Sequence, residues 1–296
     1  MTKIRIALGL LLCCSAHAAE VVFPIATDVY IDSLTSNTGK NYGAATTVKV
    51  LASSNGSVCR ALFQLPTEIG LYPTNQVAAA TVFFYVWQDN TSDRNITLFP
   101  LTRSFIEGTG NGTTPPDGAT WQTYDGLNAW TEAGGDFNTN HPVIGIKGPI
   151  VDEVNHGRYF SWDITPLLTN EQARTELMNY GALLRIDEVP VPPSGMPRAP
   201  FTSSDGAVNE RPFMQLLVIA RTSTVDSVSM TEESVILNIT NCTPYVTNRI
   251  ERSLDLQQAD GWTLVTNLVT SGSETHWTES VHSNWTNAFY RVGNDE

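Results

Sequence analysis

Short runs in which hydrophobic and polar positions alternate recur along the first two thirds of the chain. A period of two predicts half-buried strands, and clusters of Gly, Asn and Pro between such runs are typical of turns. The predicted strands are 28–32, 46–51, 59–65, 79–87, 95–103, 158–164, 180–186 and 212–221. Many short strands joined by turns predict a β-sandwich of the jelly-roll type.

Two later segments extend this prediction. Leu167 to Met178 has helical spacing, with Thr165-Pro166 as a start signal and Gly181 as a stop, which predicts a helix over 166–179. Beyond residue 222 the alternation returns at 225–238, 247–253, 262–265, 276–278 and 288–292. These short runs predict a small fibronectin-type-III-like sandwich. The expected fold class is all-β, a jelly-roll β-sandwich plus a small C-terminal β-sandwich.

The first 19 residues have the pattern of a secretory signal peptide. Lys3 and Arg5 precede an apolar run over 6–14, and Ala16-His17-Ala18 matches a cleavage site. The run is about half of the ~20 residues that a membrane span requires. We therefore expect a secreted, extracellular protein without a membrane span, organised as a signal peptide (1–19), a jelly-roll domain (20–221) and a small sandwich (222–296).

Composition and charge limit the classes of molecule that the chain is expected to bind. Seventeen basic and 30 acidic residues give a net charge of −13, which falls to −15 when Lys3 and Arg5 leave with the signal. Such a chain is unsuited to nucleic acid, since phosphate recognition needs a basic surface. Loss of the signal also leaves two cysteines, Cys59 and Cys242. Two buried thiols are favoured over an interdomain bridge, because nothing in the sequence brings the two residues together.

Motifs of catalysis are missing from the sequence. There is no Gly-x-Ser-x-Gly, His-Glu-x-x-His or Cys-x-x-Cys, and no P-loop or dinucleotide fingerprint. Glycosidases use two convergent carboxylates, and the adjacent pairs Asp152-Glu153 and Asp187-Glu188 are not specific for such a site. We predict no catalytic residues and no enzymatic activity, with a polysaccharide-degrading enzyme as the remaining alternative.

The stretch from 104 to 141, which we call the long loop, carries candidate sugar-binding residues. It has no strand pattern, and loops longer than about 15 residues are uncommon in compact domains unless they are functional. Trp121, Tyr124 and Trp130 lie in it, and sugars stack their C–H faces on such rings. The alternative is that these rings anchor the loop to the sandwich.

Further candidates lie on the predicted strands. Alternation along 81–87 places Phe83, Tyr85 and Trp87 on one face, as an aromatic platform or as rings buried under the helix or the long loop. Lys49 and Arg60 fall on consecutive strands, where they could share a face and attract an acidic glycan. Trp87, Lys49 and Arg60 therefore join the predicted carbohydrate-binding residues.

Calcium is a further candidate ligand near the first turn. Asp28, Asp32, Asn37 and Asn41 offer the hard oxygen atoms that calcium prefers, and structural calcium suits a secreted sandwich. The simpler alternative is a solvated acidic turn, and no cofactor is required by any other feature.

An ordered set of short motifs extends over most of residues 25–218. The motifs are Thr27-Asp28-Val29-Tyr30-Ile31-Asp32, Asn41-Tyr42-Gly43, Arg60-Ala61-Leu62-Phe63-Gln64-Leu65, Glu107-Gly108-Thr109-Gly110-Asn111-Gly112, Gly118-Ala119-Thr120-Trp121, Trp130-Thr131, Gly134-Gly135-Asp136-Phe137, Trp162-Asp163-Ile164-Thr165, Phe201-Thr202-Ser203-Ser204 and Arg211-Pro212. This set resembles the DNRLRE family of secreted bacterial β-sandwich domains, some of which are carbohydrate-binding modules that bind alginate. Phe105 and Asp205 depart from the family, which usually has Trp and Glu there. The residues 249–256 and 289–292 resemble small sandwich modules that end many secreted bacterial proteins.

These observations together predict a function. We expect a secreted, noncatalytic carbohydrate-binding protein that attaches to extracellular polysaccharide. Because a protein of net charge −15 repels a polyanion unless cations cluster locally, a carbohydrate partner is favoured over alginate in particular. The alternative is a structural or adhesive cell-surface protein without a sugar site.

Overall fold

The computed structural model describes residues 5–6, 17–87, 90–91, 94–114, 117–152, 156–188, 196–221, 223–231, 233–254, 261–280 and 287–294. By the density of internal contacts the chain divides into a larger unit, Val22–Gly70 with Ala79–Leu216, and a smaller unit, Met1–Val21 with Leu71–Ala78 and Leu217–Glu296. The predicted domain limits and the signal peptide stay predictions, and residues 1–4 and 7–16 lie outside the described ranges. No helix in those ranges is long and apolar enough to span a membrane.

Strands dominate both units, so the all-β prediction is confirmed. The first thirteen strands are β1 (Arg5–Ile6), β2 (His17–Pro24), β3 (Asp28–Asp32), β4 (Thr47–Ala52), β5 (Val58–Phe63), β6 (Val77–Val86), β7 (Ile96–Pro100), β8 (Val143–Ile144), β9 (Ile146–Asp152), β10 (Gly157–Asp163), β11 (Ala182–Ile186), β12 (Arg198–Thr202) and β13 (Phe213–Ala220). The others are β14 (Thr224–Met230), β15 (Ser234–Thr240), β16 (Thr247–Ser253), β17 (Thr263–Val269), β18 (Glu274–Ser280) and β19 (Asn287–Asn294). The α-helices are α1 (Thr165–Thr169) and α2 (Glu171–Tyr180), and short 3-10 helices lie at Thr67–Leu71, Thr74–Gln76 and Val208–Glu210.

The larger unit packs two layers of antiparallel strands face to face. One layer has the order β2-β13-β6-β10-β9, and the other has the order β12-β4-β5-β11-β7-β8, with β3 also paired to β5. The layers join at the pair Phe201–Val86, where β12 meets β6. Between them Phe84 lies 5.1 Å from Phe63 and 5.7 Å from Phe201, measured between ring centroids. These fully buried rings form the centre of a sandwich core.

The opposite face of β5, β11 and β7 is covered by the long loop. Leu62 pairs with Leu183, and Leu183 pairs with Phe99, so the three side chains form one row. Gly135 packs so closely on this row that an added Cβ would lie 3.0 Å from the Leu183 side chain. Its φ of +105° also favours glycine, so a larger residue at this position would be disfavoured both by the close approach to Leu183 and by the backbone conformation.

The smaller unit has its own core. β15 pairs with β14 and β18, and β16 pairs with β17 and β19. Buried side chains from β15, β16, β19 and the segment after β15 pack together; they are Val235, Leu237, Ile239, Cys242, Ile250, Ala288 and Tyr290. Cys242 is a free, buried thiol, as is Cys59 in the larger unit, in agreement with the favoured interpretation.

The structure differs from the predicted elements in two instructive places. The predicted helix over 166–179 is broken at Asn170, which is extended (φ −90°, ψ 121°) and caps α2 by accepting a hydrogen bond from the Ala173 N–H. β9 and β12 escape prediction because Pro149 and Pro200 lie within them. β12 tolerates Pro200 because it pairs along its length with β4 but meets β6 at one residue pair.

Candidate functional site

Asn41 fixes the long loop from beneath. Its Nδ2 donates to the carbonyls of Glu107 (2.7 Å) and Ala119 (3.0 Å), and its Oδ1 accepts from the N–H groups of Gly43 (3.1 Å) and Gly110 (2.8 Å). The side chain is fully buried, and these four bonds satisfy both of its N–H donors and both lone pairs of its oxygen in place of water. Asn41 therefore positions the loop.

The three predicted loop aromatics are held by contacts within the protein. Trp130 is 5% exposed, and its Nε1 donates to the Thr120 carbonyl at 2.9 Å, so this ring acts as an anchor. Tyr124 packs edge-on against Trp130, and the Arg103 guanidinium lies 4.9 Å from the Tyr124 ring centroid. Trp121 is half-buried and has Arg60 at 4.9 Å from its ring centroid. Guanidinium groups thus occupy one face of each of these two rings.

Arg60 is the most connected of the predicted site residues. Its Nε and Nη2 donate to the two carboxylate oxygens of Glu188 (2.8 and 2.9 Å), and Nη1 donates to the Gly134 carbonyl (2.8 Å). A bidentate pair of this kind fixes a side chain in position and direction. Sequence reasoning identified Arg60 but missed its partner, Glu188, which lies 128 residues away.

Lys49 and Arg60 do not share a face, contrary to the expectation from sequence. The Lys49 ammonium lies over the Tyr30 ring at 5.0 Å, whereas Arg60 is opposite Ile31 in the β3–β5 ladder. Tyr30 and Ile31 are consecutive in a strand and therefore point to opposite faces. The two cations are separated by the sheet and cannot form one basic cluster.

A cleft of about 460 Å³ opens beside Arg60, and we call it the loop cleft. It is lined by Arg60, Thr102, Thr131, Glu132, Ala133, Gly135, Asp136 and Phe137. Its volume lies within the roughly 300–1,000 Å³ of small-molecule sites. The Arg60 guanidinium also lies 5.4 Å from the centroid of Phe137, whose half-buried ring is part of the lining. The cleft therefore combines a ring with several polar groups.

Asp136 organises the wall of the loop cleft. Its carboxylate accepts from the Thr131 N–H (3.0 Å), the Glu132 N–H (3.0 Å) and Arg103 Nε (2.9 Å). Burial acts to raise the pKa of Asp136, but the bonds from Thr131, Glu132 and Arg103 outweigh burial and hold the pKa below its usual value. Asp136 is therefore an ionised acceptor and not a proton donor at neutral pH.

Asp28 is the most perturbed carboxyl group of the larger unit. It is 1% exposed; Oδ2 accepts from the Ser204 N–H at 2.7 Å, and Oδ1 is buried without a hydrogen-bond partner. Burial above all, with the nearby charges of Glu107 and Asp205, raises its pKa to about 7. The pKa of Glu107 is also raised, chiefly by burial.

Most oxygen atoms of the four residues predicted to bind calcium are engaged within the chain; Asp28 Oδ1 is the exception. Asp32 accepts from the Leu34 N–H and from Asn37 Nδ2, and Asn41 Oδ1 accepts two backbone bonds. Asn37 Oδ1 accepts from Lys40. Among the described residues, no group of three or more His, Cys, Asp or Glu side chains is placed to hold a metal ion. Calcium at this turn stays a prediction.

The outward side of β6 carries the third candidate region. Phe83, Tyr85 and Trp87 alternate with core residues, and Trp87 is 42% exposed. Two rings that the sequence analysis did not connect with them lie alongside, Tyr159 from β10 and Phe213 from β13. Strand pairing brings these five rings together, which no local pattern could indicate.

Comparison with known proteins does not assign the chain to a family. No family model matches it, and no curated protein matches it. Among solved structures it is similar to a β-1,2-glucanase from Parabacteroides distasonis, at 9% identity and a TM-score of 0.21, over 94% of this chain and 37% of that one. The chain thus spans little more than a third of that structure, and a likeness this low carries no argument about fold or activity.

Replacing Arg60 by Lys is expected to destabilise the larger unit by about 2 kcal/mol, because an ammonium cannot reproduce the two parallel bonds to Glu188 or the stacking on Trp121. Urea unfolding followed by tryptophan fluorescence measures this. Arg103→Lys is the matched control: the Arg103 side chain is 42% exposed, so its loss should be smaller. Equal losses in the two variants would contradict the central position given to Arg60.

Proposed function

We propose that this is an exported, noncatalytic protein that binds extracellular polysaccharide through the loop cleft. The observation that supports this most is the composition of the cleft, in which the Phe137 ring lies beside polar groups held in fixed positions. Arg60 and Asp136 are each held by several bonds before a ligand arrives. Such preorganisation lowers the entropic cost of binding, which matters for weakly binding sugars.

Sugar recognition explains this combination of groups. A pyranose ring offers a C–H face for Phe137 and hydroxyl groups for the Thr131 and Thr102 hydroxyls and the Glu132 carboxylate. Arg60 and Arg103 are each paired with a carboxylate, so the cleft does not offer a strong uncompensated positive charge. The cleft therefore suits a neutral or mixed glycan better than a polyanion.

The chemistry of Asp136 supports the noncatalytic part of the proposal. A glycosidase needs a carboxylic acid that is protonated near neutral pH to assist the leaving group. Asp136 has a lowered pKa, which disqualifies it as that acid. Incubation with the bound polysaccharide should release no new reducing ends and no unsaturated uronates; either product would overturn this part.

Filling the loop cleft should abolish sugar binding by it. Ala133 is exposed in the cleft, and Ala133→Trp is expected to weaken binding of soluble oligosaccharides by at least about tenfold, because the indole occupies the space of the sugar. Ala129→Trp, an exposed alanine of the same loop outside the cleft lining, is the control. Titration calorimetry against a panel of neutral and acidic oligosaccharides measures it. The proposal fails if no oligosaccharide binds, or if Ala133→Trp binds as the parent does.

A further inference from the structure

The five rings on the outward side of β6, β10 and β13 form one continuous surface, which we call the aromatic face: Phe83, Tyr85, Trp87, Tyr159 and Phe213. Phe83 stacks on Phe213 with 4.8 Å between centroids and 16° between ring planes. Tyr159 lies 5.2 Å from Tyr85 and 5.7 Å from Phe213, and Tyr85 lies 6.3 Å from Trp87. Each ring thus contacts at least one other ring of the face.

The aromatic face is held rigid at its borders. Trp87 Nε1 donates to Glu210 at 2.6 Å, and the Tyr159 hydroxyl donates to the Asn209 carbonyl at 3.3 Å. Gly157 lets Tyr85 lie across β10, because a Cβ at Gly157 would collide with the Tyr85 hydroxyl oxygen. Rings that are fixed before binding lose little conformational entropy when a ligand stacks on them.

Part of this surface is open to solvent. Trp87 is 42% exposed, and Phe83, Tyr159 and Phe213 are half-buried. Contiguous exposed aromatic surface is unfavourable for a soluble protein, and where it persists it marks a binding site. Phe83 and Phe213 are nearly parallel, and the other ring pairs of the face meet edge-on at 66° to 85°. These rings lie on the open side of a sheet, which fits an extended sugar chain.

Carboxylates border the aromatic face: Glu210 accepts from Trp87 Nε1, and Asp152 is opposite Gly157 in the β9–β10 ladder. After burial, the charges of Asp152 and Glu210 are the main causes that raise the pKa of Tyr85, and the charge of Glu210 also adds to burial in raising that of Tyr159. A polymer of uronic acids would bring its own carboxylates against Asp152 and Glu210 and be repelled. Arg211 follows Glu210 in the chain, but its Nε donates to the Gly206 carbonyl.

We infer that the aromatic face is a second glycan-binding site, specific for polysaccharide chains without carboxylate or sulfate groups. The C–H faces of uncharged sugar rings stack on Trp87 and on the half-buried rings of Phe83, Tyr159 and Phe213, whereas Tyr85 is 5% exposed and supports Trp87 from below. The sugar hydroxyl groups pair with the bordering carboxylates. This site lies on a different layer of the sandwich from the loop cleft. It goes beyond the proposed function, since it binds sugar whether or not the cleft does.

The inference is tested in the Ala133→Trp variant, whose loop cleft is filled. Co-sedimentation with insoluble cellulose, chitin, mannan and xylan should retain this variant on at least one polysaccharide, with little dependence on salt. Adding Trp87→Ala should lower retention by about tenfold or more, and Trp87→Phe should restore part of it, because a ring returns. Leu127→Ala, at a highly exposed apolar residue of the long loop, is the matched control and should bind as the Ala133→Trp variant does.

Several outcomes would overturn the inference while leaving the loop cleft untouched. They are absence of retention of Ala133→Trp on any uncharged polysaccharide, full retention after Trp87→Ala, and stronger Trp87-dependent binding to alginate than to uncharged chains. A dimer in size-exclusion chromatography that dissociates on Trp87→Ala would instead assign the face to self-association. Thermal melting of each variant verifies that a loss of binding is not a loss of fold.

Discussion

Replacing Asn41 by Ala is expected to lower the free energy of unfolding of the larger unit by about 4 kcal/mol, since four buried hydrogen bonds are lost at roughly 1 kcal/mol each. The backbone groups left without a partner belong to Glu107, Ala119, Gly43 and Gly110. Urea unfolding gives the loss of stability. Hydrogen exchange at the Gly43 and Gly110 amides should accelerate beyond the global change, because these amides lose their acceptor directly.

Two further variants make the Asn41 prediction specific. Asn37→Ala removes an amide from the same turn whose partners, Asp32 and Lys40, are closer to solvent, and it should cost less than about 1 kcal/mol. Asn41→Asp keeps both acceptor bonds but loses both donor bonds and buries a charge near Glu107, so its loss should approach that of Asn41→Ala. A small loss at Asn41 with exchange unchanged at Gly110 would refute its role as the loop anchor.

The strands show what a local pattern can predict. β3 (Asp28–Asp32) and β16 (Thr247–Ser253) have the predicted bounds, because alternation of polar and apolar residues is a property of the segment itself. Burial follows that alternation over most of β16, whereas Asp28 to Ile31 of β3 are all buried. β12 was missed because Pro200 argues against a strand, and the argument fails when the neighbouring strand bonds to the other side of the residue. The break of the helix at Asn170 carried a signal, since Asn is a good N-cap residue, but the apolar spacing on both sides outweighed it.

The candidate site was less predictable because its contacts join distant parts of the chain. Composition identified Trp121, Tyr124 and Trp130 in the long loop, but whether a ring stacks on sugar or is covered depends on Arg60 and Arg103. Asn41 reaches groups 66 to 78 residues away. Alternation along one strand therefore predicts the direction of a side chain, whereas its neighbours follow from strand order.

The same reasoning explains why the aromatic face was recognised in part. Alternation placed Phe83, Tyr85 and Trp87 together, and these three are on one strand. Tyr159 and Phe213 belong to strands that flank β6 after folding, and the sequence alone does not state that order. A candidate platform of three rings in the sequence is a surface of five rings in the structure.

Replacing Asp28 by Asn should flatten the pH dependence of stability between about pH 4 and pH 8. The Asp28 pKa is raised from 3.8 to about 7 in the folded protein, so in this range the native state binds a proton that the unfolded chain has released. Stability is therefore full below pH 4 and falls as the pH rises through 7, by up to about 4 kcal/mol at 1.36 kcal/mol per pKa unit. Asn retains an acceptor for the Ser204 N–H and carries no charge, so the variant should be more stable than the parent at pH 8.

Asp125→Asn is the control that separates a buried carboxyl group from an exposed one. Bonds from the backbone and side chain of Asn128 lower the pKa of Asp125, so its contribution is present above its unfolded pKa and is lost as the pH falls below about 4. Its removal should lower stability at neutral pH without changing the slope between pH 4 and 8. If Asp28→Asn keeps the parental slope and Glu107→Gln removes it, then Glu107, whose pKa is also raised, holds the proton. Asp28 would then carry the negative charge, and its Oδ1, which is buried without a hydrogen-bond partner, would bear the desolvation penalty.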